Sequence, residues 1–215
     1  MSLYPPRGTV KGGTPLLIHV NNFPHNSSTY SPQCKFSYDL KQQGQSFVST
    51  ALTYNSTHAV CLTPDISGSF NSYIDAFQDT YVTINDLDGV FRQHTSLLYT
   101  FVREYGLTHT VPPYTYMKQR QTITFKGFNL LNEYSLMVRM RLEGSGSDII
   151  FQQHLLYIDE ETLLIQMPWV ENLKFQRTRT ATFYVSLNGG VDWSPQSADF
   201  MFYEEPQMTR LSQYM

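Results

Sequence analysis

The 215-residue sequence predicts an all-β protein of two tandem sandwich domains, and three observations carry that reading. Apolar and polar residues alternate in segment after segment, while no stretch of any length keeps the spacing of an amphipathic helix. The order of these segments recurs once, about 100 residues on, which is the size of a sandwich domain and too long for a solenoid repeat. The chain is low in charge, at 15%, and rich in aromatics, at 14%, whereas ordinary soluble domains carry about 25% charged residues.

The first unit opens with a Gly12-Gly13 turn and the short apolar run Thr14-Pro15-Leu16-Leu17-Ile18-His19-Val20. Gln33-Cys34-Lys35-Phe36-Ser37-Tyr38 follows, with Cys34, Phe36 and Tyr38 on one face and Lys35 and Ser37 on the other. His58-Ala59-Val60-Cys61-Leu62-Thr63 runs into Pro64, which cannot donate to a central ladder and marks a strand end. Tyr81-Val82-Thr83-Ile84 and Leu97-Leu98-Tyr99-Thr100-Phe101-Val102 flank the turn-forming cluster Asn85-Asp86-Leu87-Asp88-Gly89 and read as a hairpin.

The second unit repeats this order. Gln121-Thr122-Ile123-Thr124-Phe125 matches the first strand. Leu136 to Leu142 alternates, with Arg139 and Arg141 outward. Thr162 to Met167 ends on Pro168, and Thr182 to Leu187 turns at Asn188-Gly189-Gly190 before Ala198 to Tyr203 closes the unit. Phe23 and Leu130 stand 107 apart, Pro64 and Pro168 104, and Gly89 and Gly190, like Phe101 and Phe202, 101. The expected organisation is therefore a first sandwich over 1–103, a linker over 104–111, a second sandwich over 112–205, and a tail or following module over 206–215.

Composition excludes several classes. With 41% apolar residues and a net charge of −3, the chain is not of the disordered type. No apolar run reaches the ~18–20 residues that span a membrane. Two Cys cannot staple a disulfide-dense mini-scaffold. Residues 1–103 hold 6 basic and 6 acidic groups, and residues 104–215 hold 9 and 12, so neither half offers a basic face for nucleic acid. The N-terminus has no basic region followed by an apolar one, so no signal peptide is visible. The chain stops shortly after a strand-like run, as if entering another module, and is expected to be a piece of a longer protein.

Pro6-Arg7-Gly8, the Gly12-Gly13-Thr14 step, the strand ending Asn21-Asn22-Phe23, Cys34-Lys35-Phe36, Val60-Cys61-Leu62-Thr63-Pro64 and the closing Tyr99-Thr100-Phe101 together resemble the IPT/TIG family of immunoglobulin-like domains. The second unit is similar in Thr124 to Leu130, Met167-Pro168, Val185 to Gly189 and Phe200 to Tyr203, but lacks both Cys and the Gly-Gly-Thr entry. The resemblance implies two tandem immunoglobulin-like β-sandwiches of the E-set type, without catalytic machinery. Such domains occur in arrays in receptors such as plexins, and as single modules in some transcription factors. It also places Cys34 and Cys61 on neighbouring strands, where many extracellular members carry a disulfide. The reading that stands beside it is two buried free thiols acting as small hydrophobes.

Two N-glycosylation sequons stand in the first unit, at Asn26-Ser27-Ser28 and Asn55-Ser56-Thr57. By the repeat, the second aligns with Asp159-Glu160-Glu161, a strip of acids that belongs in solvent. Trp169 and Trp193 are candidate partner anchors, since aromatics lead interface hot spots; alternatively each caps a sandwich end. Asn85 to Gly89 fails as a calcium loop because Ile84 and Thr95 stand where acids are required. The six His show no His-x-x-x-His spacing, no Gly-x-Ser-x-Gly elbow is present, and Gly144-Ser145-Gly146-Ser147 has no Lys to complete a phosphate loop. The expectation is a non-enzymatic interaction module with no cofactor, no metal, no nucleic-acid partner and no membrane span in this segment. It would bind other proteins or neighbouring domains at the cell surface. An intracellular ciliary or cytoskeletal scaffold and a carbohydrate-binding accessory module are the alternatives.

Overall fold

The computed structural model describes residues 2–20, 32–38, 45–69, 77–85, 97–116, 121–144, 146–152, 155–167 and 178–204. Every regular element among them is a β-strand. Two compact units emerge: Met1–Glu104 with Leu187–Trp193, and Tyr105–Ser186 with Ser194–Met215.

In the first unit, β1 (Ser2–Tyr4) pairs antiparallel with β3 (Pro15–His19), and after the cis Tyr4–Pro5 bond β2 (Arg7–Thr9) pairs parallel with β8 (Leu97–Val102). β4 (Gln33–Ser37), β5 (Ser46–Tyr54), β6 (His58–Leu62) and β7 (Phe77–Asn85) fill the layers between. The strand order is β1-β3-β6-β5-β4-β7-β8-β2. One strand joins the two layers: Ser46 to Thr50 of β5 pair with β4, and from Ala51 on the same strand pairs with β6, with a bulge between Ala51 and Thr53. A bulge adds twist, and here it follows directly on the switch of β5 from one layer to the other. Gly12, at φ 70°, is required at the entry to β3, because a Cβ there would strike the backbone of Pro64.

The period-two alternation explains the core. Leu16, Ile18, Phe36, Ala59, Val82, Ile84, Tyr99 and Phe101 point inward and are buried. Phe36, Tyr99 and Phe101 pack edge-to-face or tilted at centroid distances of 5.0 to 6.1 Å, the arrangement that aromatic quadrupoles favour.

The second unit has the same plan. β9 (Gly106–Val111) pairs antiparallel with β11 (Thr122–Phe128), and after the cis Val111–Pro112 bond β10 (Tyr114–Tyr116) pairs parallel with β17 (Ala198–Tyr203). With β12 (Met137–Leu142), β13 (Asp148–Phe151), β14 (Leu155–Asp159), β15 (Thr162–Gln166) and β16 (Arg179–Ser186), the sheets run β14-β15-β11-β9 and β13-β12-β16-β17-β10. Where the first unit has the single strand β5, the second has two, β13 on β12 and β14 on β15. Phe125, Phe183, Phe200 and Phe202 form its aromatic core, each touching the next at 4.8 to 6.0 Å.

Two expectations need correction. Residues 106–111, expected within a linker, are strand β9: Leu107 is fully buried, and Gly106 lies so close to β11 that a Cβ on Gly127 would meet its carbonyl. Its alternation is interrupted, with Thr108 and His109 both exposed, so a period-two reading passes over it. The second correction concerns the cysteines. Cys34 and Cys61 are not on hydrogen-bonded neighbours; β5 runs between β4 and β6, and the two residues face each other from opposite layers.

Candidate functional site

Cys34 and Cys61 are joined in a disulfide, with Cα atoms 6.4 Å apart and a sequence separation of 27. Both are fully buried, one on each side of the place where β5 changes layers. The offset of 104 that relates Pro64 to Pro168 leads from Cys34 to Val138 and from Cys61 to Ile165. Both are fully buried. The same inward positions are thus closed covalently in one unit and by van der Waals packing in the other.

Asn55 sits in the exposed turn between β5 and β6. Its Oδ1 accepts from the backbone N–H of Thr57 at 2.8 Å, the backbone N–H of His58 at 2.8 Å, and the Thr57 hydroxyl at 3.0 Å. This is the local turn chemistry that favours Asn and Asp. Asp159 holds the corresponding turn of the second unit, accepting from the Glu161 N–H at 2.9 Å. That bond is the chief reason its carboxyl lies below the usual carboxylate range. Asn26 and Trp169 lie outside the described residues. Trp193 is half-buried, in the Leu187–Trp193 segment that belongs with the first unit.

Three surfaces stand out in the second unit. The first is aromatic: Tyr114 and Tyr116 on β10 and Tyr203 on β17 are 55%, 45% and 37% exposed, and Tyr114 meets Tyr203 edge-on at 5.6 Å. The corresponding β2 positions in the first unit are Arg7 and Thr9. The second is charged. Arg141 binds both carboxylate oxygens of Asp148, at 3.0 and 3.1 Å, while Arg139 approaches the same carboxylate at 3.5 Å. Both guanidinium groups lie over the Tyr184 ring, at 4.7 and 5.8 Å. The hydrogen bond from Arg141 holds the Asp148 carboxyl low, and that carboxylate in turn raises Arg141. Arg139 and Arg141, outward on β12, thus form an ordered ladder with Asp148 and Tyr184.

The third surface is a half-open cleft of about 380 Å³, lined by Asn132, Glu133, Tyr134, Leu136, Gln152, Leu155 and Tyr157. Burial, and then the charges of Glu160 and Asp159, push the Tyr157 hydroxyl up from its usual value. Among the described residues no three His, Cys, Asp or Glu side chains gather as a metal-binding group, and no helix is long and apolar enough to cross a membrane. Sequence reading missed the tyrosine face, because it depends on which strand lies beside β10, and the cleft, because loops build it.

Residues 1–92 match the IPT/TIG domain family. No curated protein matches the chain in sequence. Among solved structures, the chain is similar to the full extracellular region of plexin A4, at 16% identity and a TM-score of 0.49, covering 96% of this chain and 16% of that one. It is also similar to the FN1–FN3 domains of chicken CNTN1, at 9% identity and a TM-score of 0.36 over 93% and 63% of the two chains. For murine CEACAM1b the values are 9% and 0.23 over 95% and 99%. The chain spans less than a third of the first solved structures it matches.

Proposed function

With residues 1–92 an IPT/TIG domain, we propose that the protein is a non-enzymatic recognition module, two immunoglobulin-like sandwiches in tandem, working outside the cell as part of a longer chain. The observation that carries the extracellular reading is the buried Cys34–Cys61 disulfide, since such bonds persist in oxidising compartments and are rare in the cytosol. Asn55 supports it: the sequon asparagine is exposed, and its Oδ1 is engaged while its amide nitrogen is the group a glycan would occupy. The domain boundary belongs near residue 105, where β9 begins the second unit.

Recognition is assigned to the outer faces. Tyr114, Tyr116 and Tyr203 provide rigid aromatic area with a polar tip, the side-chain type that dominates protein interfaces. Trp193 is the second anchor and Trp169 a third; Asn26 is a second glycan site. Intact-mass measurement of the protein secreted from animal cells, before and after reduction and deglycosylation, tests the compartment. The expected result is a two-hydrogen gain on reduction and glycan mass on Asn55. Free thiols and a bare Asn55 would return the protein to the intracellular scaffold reading.

A second reading rests on the cleft of the second unit. Tyr134 and Tyr157 with Asn132, Glu133 and Gln152 combine aromatic faces with amide and carboxylate groups, the side-chain set that binds sugar rings. Chemical-shift changes at these residues on titration with oligosaccharides would support a carbohydrate-binding role, and an unmoved cleft would remove it.

A further inference from the structure

The β3–β6 pairing brings His19 directly opposite His58. Their rings stand 4.6 Å apart, centroid to centroid, with planes at 85°. We propose that His19 and His58 form a two-nitrogen site for a divalent transition-metal ion of the copper, nickel or zinc type on the outer face of the first unit.

The hydrogen-bond chain beneath His58 fixes which of its nitrogens is free. Asn55 Oδ1 takes two backbone N–H donors, so that atom is the carbonyl oxygen and can only accept. The Thr57 hydroxyl gives its single hydrogen to this oxygen. It therefore has no hydrogen left for His58 Nδ1, 2.8 Å away, and must accept from it. This assignment of the hydroxyl hydrogen puts the imidazole proton on Nδ1 of His58 and leaves Nε2 a lone pair. A ligating imidazole is held in just this way, its other nitrogen donating to an oriented acceptor.

Distance agrees with the chemistry. With a metal–nitrogen bond of about 2.0 Å and about 1.1 Å from nitrogen to ring centre, two imidazoles bound to one ion at about 90–109° place their centroids about 4.4–5.1 Å apart. The observed 4.6 Å falls in that range with near-perpendicular rings. Both side chains are half-exposed, so an ion and its completing waters can reach them.

The second unit supplies an internal control. At the same place in the ladder, Lys126 stands opposite Thr162, and the pair is satisfied by a plain Nζ–Oγ1 hydrogen bond of 2.8 Å. The fold does not need two imidazoles at this position.

Cu²⁺ titration with paramagnetic resonance on the intact chain tests the site. One equivalent should bind with coupling to two imidazole nitrogens. H19A and H58A should each weaken binding at least about tenfold, because each leaves a single ligand. The double swap H19K/H58T, which imports the second unit's own pair, should abolish binding while the circular dichroism stays unchanged. T57V should weaken binding by about tenfold through the released His58 ring, and T57S, which keeps the hydroxyl, should not. Unchanged copper affinity in H19A, H58A and H19K/H58T, or coupling to one nitrogen only, would overturn the proposal.

Discussion

The two units solve the same packing problem with different means. Both carry a first strand that changes sheet at a cis-proline, and both end in the same five-strand layer order. The first keeps β5 continuous across both layers and bridges the crossing with a disulfide. The second breaks the equivalent stretch into β13 and β14 and fills the bridge positions with Val138 and Ile165. Interior packing near crystal density makes either solution sufficient. What the difference teaches is that the covalent bond is an addition to a fold that already closes without it.

The largest effect follows from removing that addition. Reduction, or C34A/C61A, should cost the first unit about 3–4 kcal/mol, as expected for a closed loop of this length. The lost stability should appear as an earlier melting transition for the first unit alone, read by calorimetry. Transplanting the bridge is the next test. V138C/I165C encloses the same 27-residue separation and should raise the second transition, by about 2 kcal/mol once strain is allowed for. Failure to oxidise would show that the two interiors differ more than their registers do.

The Asx turns sharpen the comparison further. N55A removes an acceptor that serves three donors and should cost about 1–2 kcal/mol. N55D imports the second unit's residue and should keep the turn while removing the sequon, so glycan loss and turn loss separate in mass and melting data. The smallest effect belongs to Asp148. Its carboxyl is held low in the folded state by Arg141, so its contribution is present above the unfolded carboxylate range and lost as pH falls through the folded value. D148N should therefore melt slightly earlier than the parent at neutral pH, and the gap should close in acid.

Much of this was legible in the sequence, and the exceptions have physical causes. Strands with one buried face announce themselves: Leu16 and Ile18, Cys34 and Phe36, and Ile123 and Phe125 are inward because they alternate. The edge and crossing strands do not. β5 is rich in Ser and Thr with no sustained alternation, because it changes layers midway. β9 has Thr108 and His109 both outward. Pairing across strands is also invisible along the chain. No spacing rule joins His19 to His58, or Tyr114 to Tyr203; only the register does. The aligned turns at Asn55 and Asp159, by contrast, were readable from the repeat, since short polar turn residues act locally.

The most direct test of two like sandwiches held by unlike means is hydrogen exchange on the intact protein, with and without reductant. Reduction should lower protection across β3, β4, β6 and β7 of the first unit and leave β11, β12, β15 and β16 of the second unchanged. Equal loss in both units, or none in either, would contradict the account.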